Sequence, residues 1–137
     1  MDQTTAASRP SLQLQAAIFA GGVVGALARE GLVRALPFHG HGWPWATFVA
    51  NVAGTAALGY LITRLQERLP PSTFRRPLLG TGFCGALTTF STFQLELIRL
   101  VRHGELLVSG VYLVASVLTG LGLVYLASAL TRRVRLR

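Results

Sequence analysis

The sequence predicts an all-α membrane protein with four transmembrane helices, the third of them broken in mid-span. Three observations lead there. Apolar residues make up 51% of the 137, and mean hydropathy is +0.49, more than a water-soluble chain of this size carries. Four uncharged stretches, residues 10–28, 35–63, 77–95 and 106–131, each meet the roughly 20-residue need of a spanning helix. The third contains Gly80-Thr81-Gly82-Phe83-Cys84-Gly85-Ala86-Leu87-Thr88-Thr89-Phe90-Ser91-Thr92-Phe93, a run foreign to an ordinary membrane helix.

Taken in order, residues 1–9 are polar and lie ahead of the first helix, expected over about 12–35. Arg9, an apolar run and Ala26-Leu27-Ala28 have the outline of a secretory signal. The span is long for a signal, and Arg29-Glu30 would be an odd mature start, so a spanning helix is the preferred reading. Gly21 and Gly25 fit the small-residue contact pattern of membrane helices. A loop from Pro37 to Pro44 follows, with Trp43 and Trp45 suited to an interfacial belt. The second helix is expected over about 44–68, and Leu69-Pro70-Pro71-Ser72 ends it. The third is expected over about 77–102, with its break near mid-membrane. Backbone groups freed there must be buried in protein or line a cavity, which suggests carbonyls and hydroxyls that handle an ion. His103-Gly104-Glu105 turns into the fourth helix, expected over about 105–131. These four helices make a single transmembrane domain over residues 1–137.

The net charge of +8 comes from thirteen arginines, with no lysine, against five acidic residues. They cluster between and beyond the spans, where they meet anionic headgroups of membrane lipid rather than nucleic acid. With four spans, nine arginines (Arg9, Arg64, Arg68, Arg75, Arg76, Arg132, Arg133, Arg135, Arg137) fall on one side and four (Arg29, Arg34, Arg99, Arg102) on the other. That bias favours both termini in the cytoplasm. The lone Cys84 forms no internal disulfide and reads as a small packed residue. No acid, base and nucleophile set is present, nor a His or Cys cluster with metal-ligand spacing, so no enzyme is expected.

The polar residues within the spans carry the functional signal. Asn51 sits in mid-helix with Thr47 four residues earlier on the same face. A buried amide in lipid needs partners, and both interhelical glue and pore lining are open readings. Ser109, Tyr112, Ser116 and Thr119 share one face of the fourth helix, a candidate hydrated track. Phe90 and Phe93 also share a face. Core packing explains that spacing, while two positive ring edges could instead replace part of a small anion's water.

In combination these residues resemble the Fluc/CrcB family of small fluoride channels. The resemblance runs through Gly21-Gly22-x-x-Gly25-Ala26-x-x-Arg29, Thr47-x-x-x-Asn51-x-x-Gly54, Gly82-x-x-Gly85-Ala86-Leu87-Thr88-Thr89-Phe90-Ser91-Thr92-Phe93-x-x-Glu96, and Tyr112-x-x-x-Ser116. The third motif is the most specific. The resemblance implies an antiparallel, dual-topology homodimer with two fluoride pores along the subunit interface. It implies a structural sodium ion at the dimer centre, held by the backbone carbonyls of Gly85 and Thr88 from each subunit. It places Asn51, Phe90, Phe93, Thr47, Tyr112 and Ser116 along the fluoride path. Arg29 would draw anions to a vestibule, and Glu96 would be structural or at the pore mouth. The sequence departs from the family pattern at Glu30, where an aromatic often stands, and at Gly120, where some members carry a hydroxyl. The arginine asymmetry is a third departure, since dual insertion expects balance. An oppositely oriented paralogue is the arrangement that would accommodate it.

The reading is therefore a multi-pass plasma (inner) membrane channel that lets fluoride out and relieves its toxicity. A proton-coupled exporter of the small multidrug type is the rival from another class. It needs an intramembrane carboxylate, and Glu96 is the only candidate. A membrane assembly protein without transport is the third reading.

Overall fold

The computed structural model describes residues 11–67 and 74–133, and among them there are helices and turns but no strand. Helix α1 spans Leu12–Ala35 and α2 spans Trp45–Glu67. A wide π-helical segment, Pro77–Cys84, runs into the short α3, Gly85–Leu87. Helix α4 spans Phe90–Arg102 and α5 spans Leu106–Arg133. The 69–72 breaker and Arg9, Arg68, Arg135 and Arg137 lie outside the described residues.

Each boundary has a local cause. Ser11 caps α1, its hydroxyl accepting from the Leu14 N–H at 3.3 Å, which satisfies one of the orphan donors of the first turn. The α1–α2 loop turns through Gly40 at φ +90°, packed so closely under the His103 ring that a Cβ would lie 2.8 Å from it. Helix α4 ends in a Schellman motif. Gly104 sits at φ +80°, its N–H bonds Val101 O at 3.1 Å, and the Glu105 N–H bonds Leu100 O at 2.9 Å. The left-handed residue has to be glycine, because a Cβ there strains the backbone.

Two helix pairs build the body. Helix α1 lies along the π segment, and α2 lies along α5. The α1 contact is backbone against backbone. Gly21 faces Leu78 O and Gly25 faces Phe83 O, while a Cβ on Gly82 would come within 2.5 Å of Ile18 O. Three glycines thus let two main chains approach more closely than any side chain permits. In the π segment the Gly85 N–H reaches Gly80 O, five residues back, instead of the usual four. Such widened turns recur at functional sites.

The interior is small. Phe93, Leu100 and Tyr112 are its buried centre, with Phe38, Trp43, Phe48, Leu97 and Val108 packed around them. Phe19 on α1 and Leu107, Leu121 and Tyr125 on α5 face outward. Polar Thr47, Glu96 and Ser109 are buried instead. This arrangement inverts that of a protein dissolved in water and suits an apolar solvent. Helix α1 and the Leu106–Ala127 part of α5 are long and apolar enough to cross a membrane. The stretch Pro77–Arg102 is divided: its π segment has 8 residues and α4 has 13, so neither alone has the roughly 20 residues of a spanning helix.

Candidate functional site

The division of the Pro77–Arg102 stretch falls at Thr88 and Thr89, where the backbone turns extended (ψ 152° and 122°). Four side chains hold it open. In an unbroken helix the Thr89 N–H would close on Gly85 O. Here it donates to Asn51 Oδ1 at 2.8 Å, and Asn51 Nδ2 donates back to Thr89 O at 3.1 Å. The carbonyl of Ala86, which would have served Phe90, accepts from Arg29 Nε at 3.2 Å. The Thr92 N–H, which would have served Thr88 O, donates to Thr89 Oγ1 at 3.2 Å, making Thr89 the N-cap of α4. Thr88 Oγ1 donates to Cys84 O at 3.0 Å, and the Thr88 methyl packs onto Gly54, which has no side chain to obstruct it. The carbonyls of Gly85 and Thr88 are thereby released from the ladder. Gly85 is exposed, and a Cβ added to it would meet nothing within 4 Å.

Beside the break lies an open cavity of about 320 Å³, whose lining includes Asn51, Thr88, Thr89, Phe90, Phe93 and Ser116. The Phe90 and Phe93 rings are 6.1 Å apart and tilted by 32°. Phe93 is buried and packs on Tyr112 at 5.0 Å, whereas Phe90 is 71% exposed and projects from the surface. Ser116 Oγ is buried without a hydrogen-bond partner. An orphan hydroxyl of this kind is uncommon enough to call for a ligand or water.

Behind Phe93 is a second polar cluster. The Thr47 hydroxyl donates to Glu96 Oε1 at 2.6 Å, and the Tyr112 hydroxyl donates to Oε2 at 2.9 Å. A carboxylate buried from water is held by two donors, one per oxygen, as burial of such a group requires. Glu96 also borders a smaller cavity of about 140 Å³ with Thr92 and Arg99. Ser109 ties α5 to α4 through Leu97 O at 3.3 Å.

Of the residues singled out in the sequence, Asn51, Phe90, Phe93 and Ser116 share the first cavity with Thr88. Thr47 and Tyr112 lie outside its lining and spend their protons on Glu96. Arg29 is engaged with the break itself. Ser91 and Thr92 join the hydroxyl cluster of Thr89, at 3.3 and 3.0 Å. Thr55 lines the cavity as well, and the sequence reading missed it. The signal was available: Thr47, Asn51 and Thr55 are four residues apart and form one stripe of α2.

The sequence profile of a family described as CrcB-like protein, Camphor Resistance (CrcB), matches residues 16–128. The chain is 54% identical to a fluoride-specific ion channel, FluC 1, of Mycobacterium bovis, across 89% of this chain and 92% of that protein. It is 50% identical to FluC 1 of Mycolicibacterium paratuberculosis, again across 89% and 92%. A FluC of Chlorobium phaeobacteroides is 39% identical across 82% of this chain and 88% of its own.

Proposed function

This chain belongs to the CrcB-like family, and on that premise we propose that it conducts fluoride passively out across the plasma membrane, relieving fluoride toxicity. It is an ion channel and not an enzyme. The observation that carries the reading is the cavity beside the break, where the unpartnered Ser116 hydroxyl, the Asn51 amide and the two phenylalanine rings meet. Fluoride is small and tightly hydrated, so a pore must offer several donors in place of water. Hydroxyl, amide and ring edges do this without a fixed cation that would trap the ion. An inside-negative potential drives the anion outward by about 2.3 kcal/mol per 100 mV. The exporter reading rests on Glu96 as its only intramembrane carboxylate, and the relatives, named as fluoride-specific channels, favour the channel over it.

The path in this proposal runs past Asn51, Phe90, Phe93 and Ser116. Thr47 and Tyr112 extend it beyond Phe93, and to serve the anion they must release Glu96. Arg29 adds positive charge beside the break. The multi-pass unit is an antiparallel homodimer, or a pair with an oppositely oriented paralogue. Two features favour a partner at the break: Phe90 projects outward, and Gly85 leaves open space beside it. The test is efflux from liposomes loaded with fluoride and containing the purified protein, with a potassium ionophore to balance charge. Fast fluoride release with little chloride release is expected. No release from folded protein would refute a self-sufficient channel.

The same proposal gives the break a structural sodium ion. The donor set fits: Gly85 and Thr88 carbonyls are released from the helical ladder, and hard cations take oxygen ligands. When bound, the ion would supply a fixed positive charge joining two subunits. Prolonged dialysis into sodium-free buffer should lower the efflux rate slowly, with recovery on returning sodium. Unchanged efflux and unchanged dimer would remove the ion from the account.

A further inference from the structure

We infer that Thr55 supplies an anion-binding hydroxyl to the cavity beside the break, a role that rests on the fluoride reading above. The free protons on the cavity wall can be counted. Thr88 gives its hydroxyl proton to Cys84 O at 3.0 Å, and Thr89 gives its own to Thr92 Oγ1 at 3.0 Å. Asn51 spends one of its two amide protons on Thr89 O at 3.1 Å and keeps the other. Ser116 keeps its own, because Oγ is buried without a partner. That leaves two donors on the cavity wall from residues already considered, fewer than a dehydrated fluoride needs.

Thr55 is the remaining hydroxyl on that wall. A threonine within a helix commonly bonds the carbonyl four residues back, as Thr88 does with Cys84. Among the described residues no hydrogen bond is found for the Thr55 hydroxyl, and Asn51 O is left to the helix's own ladder. One turn of α2 separates Thr55 from Asn51, so both present to the same side. Ser116 approaches from α5, the helix packed along α2. Asn51, Thr55 and Ser116 thus bring three uncommitted protons to one cavity from two helices.

Fluoride efflux from proteoliposomes, measured beside the wild type, tests the assignment with two variants of opposite chemistry. Thr55→Val keeps the shape and removes the proton; Thr55→Ser keeps the proton and removes the methyl. Losing one hydrogen bond to an anion should slow Thr55→Val by about tenfold, while Thr55→Ser stays near the wild-type rate. Equal rates for Thr55→Val and wild type would overturn the role. So would equal slowing of both variants, which is the mark of packing alone. Should Thr55→Val fail to give monodisperse protein, Thr55→Ala replaces it under the same criteria. A wild type that releases no fluoride would instead refute the channel reading, so the two failures are distinguishable.

Discussion

Gly25→Val should leave little folded protein. The glycine lies against the Phe83 carbonyl, and a Cβ there would also come 3.1 Å from Leu87 N, so the obstacle is main chain and not a side chain that can swing aside. Overpacking a filled interior typically costs about 1–3 kcal/mol and occasionally more, and an obstacle of main chain puts this site at the upper end, a large share of the roughly 5–15 kcal/mol that holds a typical domain together. The natural control is Gly31→Ala on the same helix, where nothing lies within 4 Å. Relief of glycine's backbone entropy there should stabilise by about 0.5–1 kcal/mol. Thermal midpoints in detergent check the pair. A Gly25→Val protein that melts with the wild type would mean that α1 and the π segment do not meet through backbone.

Phe90→Ile should do the reverse, sparing the fold and damaging transport. The ring is 71% exposed and contributes little to the core of its own subunit, and surface substitutions usually move stability by no more than about 0.5 kcal/mol. Its loss removes a ring edge from the cavity. Aromatic electrostatic contacts reach about 1.5 kcal/mol, so fluoride efflux should fall about tenfold. Size-exclusion chromatography of the same sample separates this from a failure to assemble. Wild-type efflux in Phe90→Ile would take the ring out of the path.

Much of this was legible in the sequence, and what was not has a physical reason. The glycine pattern at Gly21 and Gly25 marked a close contact, because only glycine admits a backbone so near. The run from Gly80 to Phe93 pointed to an interruption, since three glycines and five hydroxyl residues are foreign to an ordinary apolar span. Spacing could place Thr47, Asn51 and Thr55 on one face. It could not say that Thr47 reaches Glu96, that Asn51 meets Thr89, or that Thr55 borders the cavity. Those contacts join residues 49 and 38 positions apart, and periodicity within one helix contains nothing about them. Arg29 was read by its charge alone, and spacing gave no sign that it also donates a hydrogen bond to Ala86 O. Glu96 was read as structural or at the pore mouth, and spacing gave no sign of the two hydroxyls that hold it.

A carboxamide is chemically a peptide group. Through its paired bonds to the Thr89 N–H and carbonyl, Asn51 contributes what a neighbouring strand would: a single rung of sheet pairing set inside a helical protein. The gap between α3 and α4 is therefore not a property of that stretch alone. It has a second owner in α2, with Gly54 receiving the Thr88 methyl as another pin one turn along. Neither element can slide in depth past the other without closing the gap, so the opening doubles as a register lock between them.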